Sequence, residues 1–184
     1  MGAPLQTQER WKDLEDLPMV GVPWAERRAA VQRELNVEMS PRYAPDSNLT
    51  WCNIYLTDFI RLMGIPAPRH WMTSGGAPAA VGKGIEMTAN RLLTWFEDKG
   101  ATYGWMKADA KTAQDAAERG HFVAVGWRNP SRGPGHVAVV LGRDRISQAG
   151  RTNHFVCTVR MGFGDTKPLE WYVLMDRPGG HAHV

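Results

Sequence analysis

A cysteine and a histidine each stand at the start of a predicted element, and together they could form a nucleophile and its base. Cys52 opens the segment CNIYLTDFIRLMG, and His136 follows a Gly-Pro-Gly turn and opens HVAVVLG. The free N–H groups and the dipole of a helix N-terminus lower the pKa of a thiol placed there. A neighbouring imidazole stabilises the thiolate further and later donates a proton to the leaving amine. The pair indicates thiolate catalysis, although a lone cysteine or histidine in such a place is also common in purely structural roles.

The helix that must position Cys52 is predicted by the spacing of its apolar residues. They recur at helical intervals from Tyr55 to Met63, which favours a helix with one buried face. Gly64 suits the residue just after a helix, and Thr50 is the expected N-cap. Cys52 is therefore expected in the first turn of this helix, close to the positive end of its dipole.

The rest of the chain places helices before strands. Apolar positions predict a helix at about 24–35, and capping and stop signals predict helices at about 88–99 and 109–119. Turn-forming residues predict loops at 39–51 and 65–84. Short β-branched segments predict antiparallel strands at 121–127, 136–142, 146–150, 156–162 and 170–176. This order predicts an α+β fold in which N-terminal helices pack on one face of an antiparallel sheet. We expect a single catalytic domain over 1–184, with an N-terminal wrap at 1–24 and a flexible tail at 178–184.

Composition limits the classes of function. The formal charge of +3 is a mild excess, and no phosphate loop, dinucleotide-binding fingerprint or nucleic-acid motif is found. The only cysteines, Cys52 and Cys157, have no metal-binding spacing, so we expect neither a disulfide framework nor a metal site. Eight tryptophans are a high count, and an open groove lined with indoles is a common way to hold sugars and peptides.

The order of the elements resembles the papain-like superfamily of bacterial and phage cell-wall hydrolases, of which the NlpC/P60 and CHAP amidase groups are nearest. The matching pieces lie within about residues 43–153 and read NLTWCNIYLTDFIRLMG, AAERGHFVAVGW, GPGHVAVVLG and ISQAGRTN. The last piece is similar to segments of phage endolysins and secreted amidase effectors. The cysteine segment lacks the D-C-S-G of NlpC/P60 and the Q-C of CHAP, which leaves the subgroup open.

The resemblance implies a papain-like fold with Cys52 as nucleophile and His136 as base. It also implies a third residue that orients the imidazole, for which Gln148 is the best positional match and Asn153 the runner-up. A neutral orienting residue can still fix the tautomer, as asparagine does in papain-like enzymes. A count of strand register about the predicted turn favours Asn153 instead, because it places 139–140 opposite 147–148 and leaves Gln148 out of line with His136.

The remaining site residues follow from the same resemblance. The backbone N–H of Cys52 supplies one donor to the oxyanion. Tyr43 or Asn48 supplies a second donor, and Asn153 is a further candidate for contact with substrate. No metal and no cofactor is implied.

The implied substrate is peptidoglycan, cut at an amide of the stem peptide or at the sugar–peptide link. Two alternatives stay open: a cysteine peptidase or transferase toxin that acts on proteins, and a catalytically silent wall-binding domain of the same fold. No nucleic-acid partner and no stable membrane insertion are expected, because no apolar run is long enough to span a bilayer. Since no signal peptide is evident, we expect synthesis in the cytoplasm and action on the cell wall after release or secretion, with any immunity or release partner unknown.

Overall fold

The structure, a computed structural model, describes residues 7–14, 22–46, 49–131 and 133–175. The helices are α1 (Thr7–Arg10), α2 (Trp24–Leu35), α3 (Cys52–Leu62), α4 (Ala89–Asp98), α5 (Ala110–Glu118) and α6 (Val159–Phe163), with a 3-10 helix at Gly100–Tyr103. The strands are β1 (Trp71–Met72), β2 (Ile85–Glu86), β3 (Trp105–Ala108), β4 (Val123–Trp127), β5 (His136–Gly142), β6 (Arg145–Gln148), β7 (His154–Thr158) and β8 (Glu170–Leu174). Within the described ranges, no helix is both long and apolar enough to cross a membrane.

The predicted α+β class is confirmed. Six strands form one antiparallel sheet in the order β3-β8-β4-β5-β6-β7, and β1 and β2 form a separate antiparallel pair. β5 therefore lies inside the sheet, with β4 on one side and β6 on the other. This arrangement fixes the start of β5, where His136 lies.

The sheet is covered by helices on both faces. Alternate residues of a strand point to opposite faces, and in β5 Val137 and Val139 belong to a core cluster that includes the buried residues of α2, α3 and α4. Ala138 and Val140 belong to a second cluster with the buried alanines of α5 and with Phe163 of α6. The N-terminal helices do pack on one face, but the prediction that one face alone is covered was wrong. The order of elements along a chain does not state to which face a later helix returns.

Helix α3 is the most deeply buried helix of the domain, and this burial fixes its place against β5. All of its residues except Arg61 are buried. Gly64 ends the segment with a φ of 76°, as the sequence predicted. The expected cap was wrong: Trp51, rather than Thr50, is the N-cap residue, and its side chain makes no capping hydrogen bond. The first turn of α3 is therefore left without a side-chain cap at the point where Cys52 lies.

Local signals located α2, α4 and α5 well, but α1 was not predicted as a helix and one strand was located poorly. The side chains of Thr88 and Asp109 cap α4 and α5 by accepting from Arg91 N and Thr112 N. The strand predicted at 156–162 is instead β7 followed by α6, which Thr158 caps. Strands β1, β2 and β3 were not predicted, since two of them are only two residues long.

Candidate active site

The Cys52 thiol meets the His136 imidazole where α3 and β5 begin. Cys52 is the first residue of α3 and is only 3 % exposed. Burial raises the pKa of its thiol, but His136 lowers it by its charge and by a hydrogen bond, and the backbone N–H groups of Val137 and Asn53 lower it further. The net pKa of Cys52 lies below the ordinary thiol value of 9.0. The surroundings therefore favour the thiolate.

The pKa of His136 shifts in the complementary direction. Burial lowers it, but the charge of Cys52, a hydrogen bond to Cys52 and a hydrogen bond to Gln148 together raise it above the ordinary value of 6.5. Lys167 opposes this shift from nearby, where its ammonium lies 4.5 Å from the ring centroid of Trp127. A lowered thiol pKa and a raised imidazole pKa both favour the thiolate–imidazolium pair. Such a pair is an activated nucleophile beside a proton donor.

Gln148 hydrogen-bonds the far side of the imidazole. Its Oε1 contacts Nε2 of His136, and the side chain itself is buried. An amide oxygen only accepts, so Nε2 of the ring carries a proton and Nδ1 is left for exchange with the thiol. Cys52, His136 and Gln148 thus form one connected chain of polar groups.

A bulge in β5 brings Gln148 to the correct face of the sheet. The turn between β5 and β6 lies at Arg143 and Asp144, as the register count assumed, and both have a positive φ. Between Val140 and Gly142, however, the pairing shifts by one residue, so that Val139 pairs with Ser147. Without this shift, Ser147 would share the face of His136 and Gln148 would point away from it. The predicted pairing of 139–140 with 147–148 was therefore off by one.

Helix α6 holds both partners of this hydrogen bond. The ring of Phe163 packs against the His136 ring with centroids 5.0 Å apart. A Cβ on Gly162 would lie only 3.0 Å from Oε1 of Gln148, so this glycine leaves the amide its room. Helix α6, which overlaps the segment predicted as a strand, thus packs beside His136 and Gln148.

Asn153 lies apart from the imidazole and fastens loops together. Its Oδ1 accepts from Gly150 N at 3.1 Å, and its Nδ2 donates to the carbonyls of Val37 and Tyr43 at 2.8 and 2.9 Å. Both the oxygen and the nitrogen of the Asn153 amide are therefore engaged in hydrogen bonds. The structure therefore places Gln148, and not Asn153, beside His136.

Tyr43 and His70 contact Asp58 of α3 in a buried ionic cluster. The hydroxyl of Tyr43 donates to Oδ2 of Asp58 at 2.8 Å, and Arg42 Nε and His70 Nε2 contact the same carboxylate at 2.7 and 3.0 Å. Burial raises the pKa of Asp58, but His70 and Arg42 lower it more, so the carboxylate stays charged. With its hydroxyl committed to Asp58, Tyr43 is not placed to donate to an oxyanion at Cys52. Asn48, the other predicted donor, lies outside the described residues.

An open cleft of about 530 Å³ runs beside Cys52. Three indole side chains, from Trp11, Trp51 and Trp71, line it, together with Glu86 from β2. The rings of Trp11 and Trp71 meet edge to face with centroids 5.7 Å apart. Trp11, which lies in the predicted N-terminal wrap, thus lines the cleft. The high tryptophan count pointed to such a groove, but not to which tryptophans would form it.

The loop before His136 also lines the cleft and is fixed by an asparagine that sequence reasoning missed. Asn90 of α4 donates to Gly133 O at 3.2 Å and accepts from Asn129 N at 3.1 Å. A side chain on Gly135 would collide with Asn90, so glycine is required at this close approach. The Gly-Pro-Gly sequence was the available signal, because it marks a tight approach without naming the partner.

The comparisons with known proteins leave the family open. No protein-family model matches the chain, and no curated protein matches it. Within the described residues, no group of three or more His, Cys, Asp and Glu side chains is arranged to hold a metal ion. The geometry of Cys52, His136 and Gln148 therefore carries the functional argument.

Replacing Gln148 by alanine is expected to lower kcat roughly 10- to 100-fold without abolishing activity, because the imidazole loses its orientation but keeps the thiolate. Gln148 raises the pKa of His136. Its loss should therefore move the alkaline limb of the pH–kcat profile to lower pH, which a merely structural defect would not do. Asn153→Ala, measured beside it, should lower the melting temperature and leave kcat nearly unchanged. A drop in kcat confined to Asn153→Ala would make Gln148 a packing residue.

Proposed function

We propose that this chain is a papain-like cysteine hydrolase that cleaves an amide bond of peptidoglycan. The observation that carries the proposal is the chain of contacts from Cys52 through His136 to Gln148 at the start of a buried helix. A nucleophile in reach of a base, with the base held by a third group, is the arrangement that acyl transfer requires.

The chemistry follows from these three side chains. The Cys52 thiolate attacks the carbonyl carbon, and the backbone N–H of Cys52 donates to the oxyanion that forms. His136, as imidazolium, donates its Nδ1 proton to the departing amine, which leaves a thioester on Cys52. The neutral imidazole then takes a proton from water, which attacks the thioester and releases the acid, and the thiol–imidazole pair is restored. Gln148 keeps the ring in one orientation through both steps.

Peptidoglycan as the substrate is supported by the cleft and by the resemblance of the sequence. Indole walls suit the apolar faces of sugars and the side chains of short peptides. The formal charge of +3 suits a protein that works at an anionic surface. The segments around Cys52 and His136 resemble those of NlpC/P60 and CHAP enzymes.

Digestion of purified peptidoglycan, followed by mass spectrometry of the fragments, tests the proposal. New amine and carboxyl termini at one kind of amide are expected, and the fragment masses identify the bond. Iodoacetamide should destroy the cleavage, and EDTA should leave it unchanged. Cleavage that resists iodoacetamide but fails in EDTA would overturn the thiolate mechanism. If protein substrates were cleaved and peptidoglycan were not, the peptidase or transferase toxin would be favoured instead.

Alkylation of Cys52 by iodoacetamide is expected to be fast at neutral pH. Its pKa lies below 9.0, so the thiolate persists as the pH falls and disappears only below that lowered pKa. Cys157, also free and buried, is the internal control, because burial raises the pKa of its thiol and should slow its reaction. Peptide mapping of the two cysteines over a pH series measures both rates. Equal, slow labelling of both would favour the silent wall-binding domain.

A further inference from the structure

Glu86 is the one carboxylate among the described residues that line the cleft beside Cys52. It lies on β2, where it pairs across the short hairpin with Trp71. The side chain is half-buried. A charge held in a partly dry wall needs either a partner in the protein or one in a bound ligand.

Within the described part of the chain, the Glu86 carboxylate has no hydrogen bond and no ion pair. The charge of Arg91 acts on this carboxylate, but its guanidinium donates to the backbone carbonyl of Glu86, at 2.8 Å. Arg91 does not line the cleft at Cys52. It lines a second cleft together with Ile85, the other residue of β2. Burial raises the pKa of Glu86, and Arg91 lowers it only in part. The carboxylate thus lacks a cation on the side of the cleft.

The walls around Glu86 suit a cation rather than an anion. No lysine, arginine or histidine is found among the described residues that line the cleft. Indole faces attract ammonium groups, and the effect grows when the cation is removed from water. A carboxylate of a substrate would meet Glu86 with like charge and without a compensating donor.

We propose that Glu86 binds an ammonium group of the substrate and so selects peptides with a free amine next to the bond that is cut. This inference rests on the proposed function, because it names the substrate class of the same cleft. The shared chemistry is a primary ammonium. It can come from the free N-terminus of a stem peptide or from the side chain of a diamino acid within it.

Binding to an inactive variant tests the inference without requiring hydrolysis. In full-length Cys52→Ala protein, the cleft tryptophans report binding through their fluorescence. Four forms of one synthetic stem peptide are titrated: unmodified, acetylated at the N-terminus, acetylated at the diamino side chain, and acetylated at both. We expect one of the singly acetylated forms to bind about tenfold or more weakly than the unmodified peptide, which identifies the amine.

Adding Glu86→Gln to this variant should remove that preference, so that unmodified and acetylated peptides bind alike. Glu34→Gln, which changes an exposed carboxylate on α2, is the matched control and should keep the preference. Glu86 lies on a two-residue strand outside the main sheet, so we expect the variants to have equal melting temperatures. Equal melting temperatures would exclude a folding defect.

Failure of this inference differs from failure of the proposed function. If wild-type protein cleaves unmodified and acetylated peptides at equal rates, the role of Glu86 is overturned and the hydrolase stands. If no form is cleaved but binding depends on the amine and on Glu86, the recognition stands and the hydrolase does not. A preference that survives Glu86→Gln overturns the inference outright.

Discussion

Replacing Cys52 by alanine is expected to abolish cleavage of peptidoglycan, with a loss of roughly 10⁴-fold or more in kcat. The reason is that Cys52 is the only thiol among the described residues that line the cleft, so its loss removes the group that forms the acyl intermediate. Cys52→Ser should be nearly as inactive. The pKa of a serine hydroxyl is far above that of a thiol, so the imidazole does not ionise it. Fragment release from purified peptidoglycan, quantified by mass spectrometry, measures the loss.

The control for Cys52→Ala is Cys157→Ala. Both cysteines are buried and free, but Cys157 lies on β7 in the core cluster on the other face of the sheet. Cys157→Ala should keep its activity. Circular dichroism and melting curves should show that all of the variants remain folded. Undiminished cleavage by a folded Cys52→Ala protein would remove the thiolate mechanism altogether.

Replacing His136 by alanine is expected to cost about as much as replacing Cys52, because a nucleophile and its base act as one unit and their losses do not add. The double variant should therefore be no worse than either single one. The labelling rate of Cys52 gives a second readout. Without the imidazole, only the backbone N–H groups of Val137 and Asn53 oppose the effect of burial, so the pKa of the thiol should rise and alkylation at neutral pH should slow sharply.

His121→Ala is the matched control for His136→Ala. Nδ1 of His121 lies 3.1 Å from Leu174 O, just before β4 begins. His136 pairs with Trp127 at the end of β4, so the two histidines lie at opposite ends of that strand. His121→Ala should keep both the activity and the labelling rate. If His121→Ala alone lost activity, His121 rather than His136 would be the base, and the assignment of His136 would be wrong.

The sequence by itself determined the two catalytic candidates and the elements that carry them. Apolar spacing and Gly64 located α3, and the Gly-Pro-Gly turn located the start of β5, so that Cys52 and His136 were each placed at the beginning of an element. These signals are local, because a helix stripe, a cap or a tight turn is encoded within a few residues. For the same reason, the positions of α4 and α5 were predicted to within a residue or so at each end.

Only the tertiary structure decided which polar side chain lies beside the imidazole. A bulge of one residue in β5 shifts the pairing with β6, and a shift of one residue exchanges the two faces of a strand. The bulge therefore sends Gln148 toward His136 and Ser147 toward α3, where the hydroxyl of Tyr55 contacts Ser147 at 2.7 Å. Counting residues from the turn assumes regular pairing of the strands and so cannot predict such a bulge.

Contacts between distant segments were equally beyond the sequence. Asn153 hydrogen-bonds the carbonyls of Val37 and Tyr43, more than 100 residues earlier in the chain. The hydroxyl of Tyr43 donates to Asp58 on α3 rather than toward the thiol. Polar side chains of this kind have several possible partners, and the packing of the core selects among them. The cleft, too, exists only once the N-terminal segment, the β1–β2 hairpin and the loop before β5 have met around Cys52.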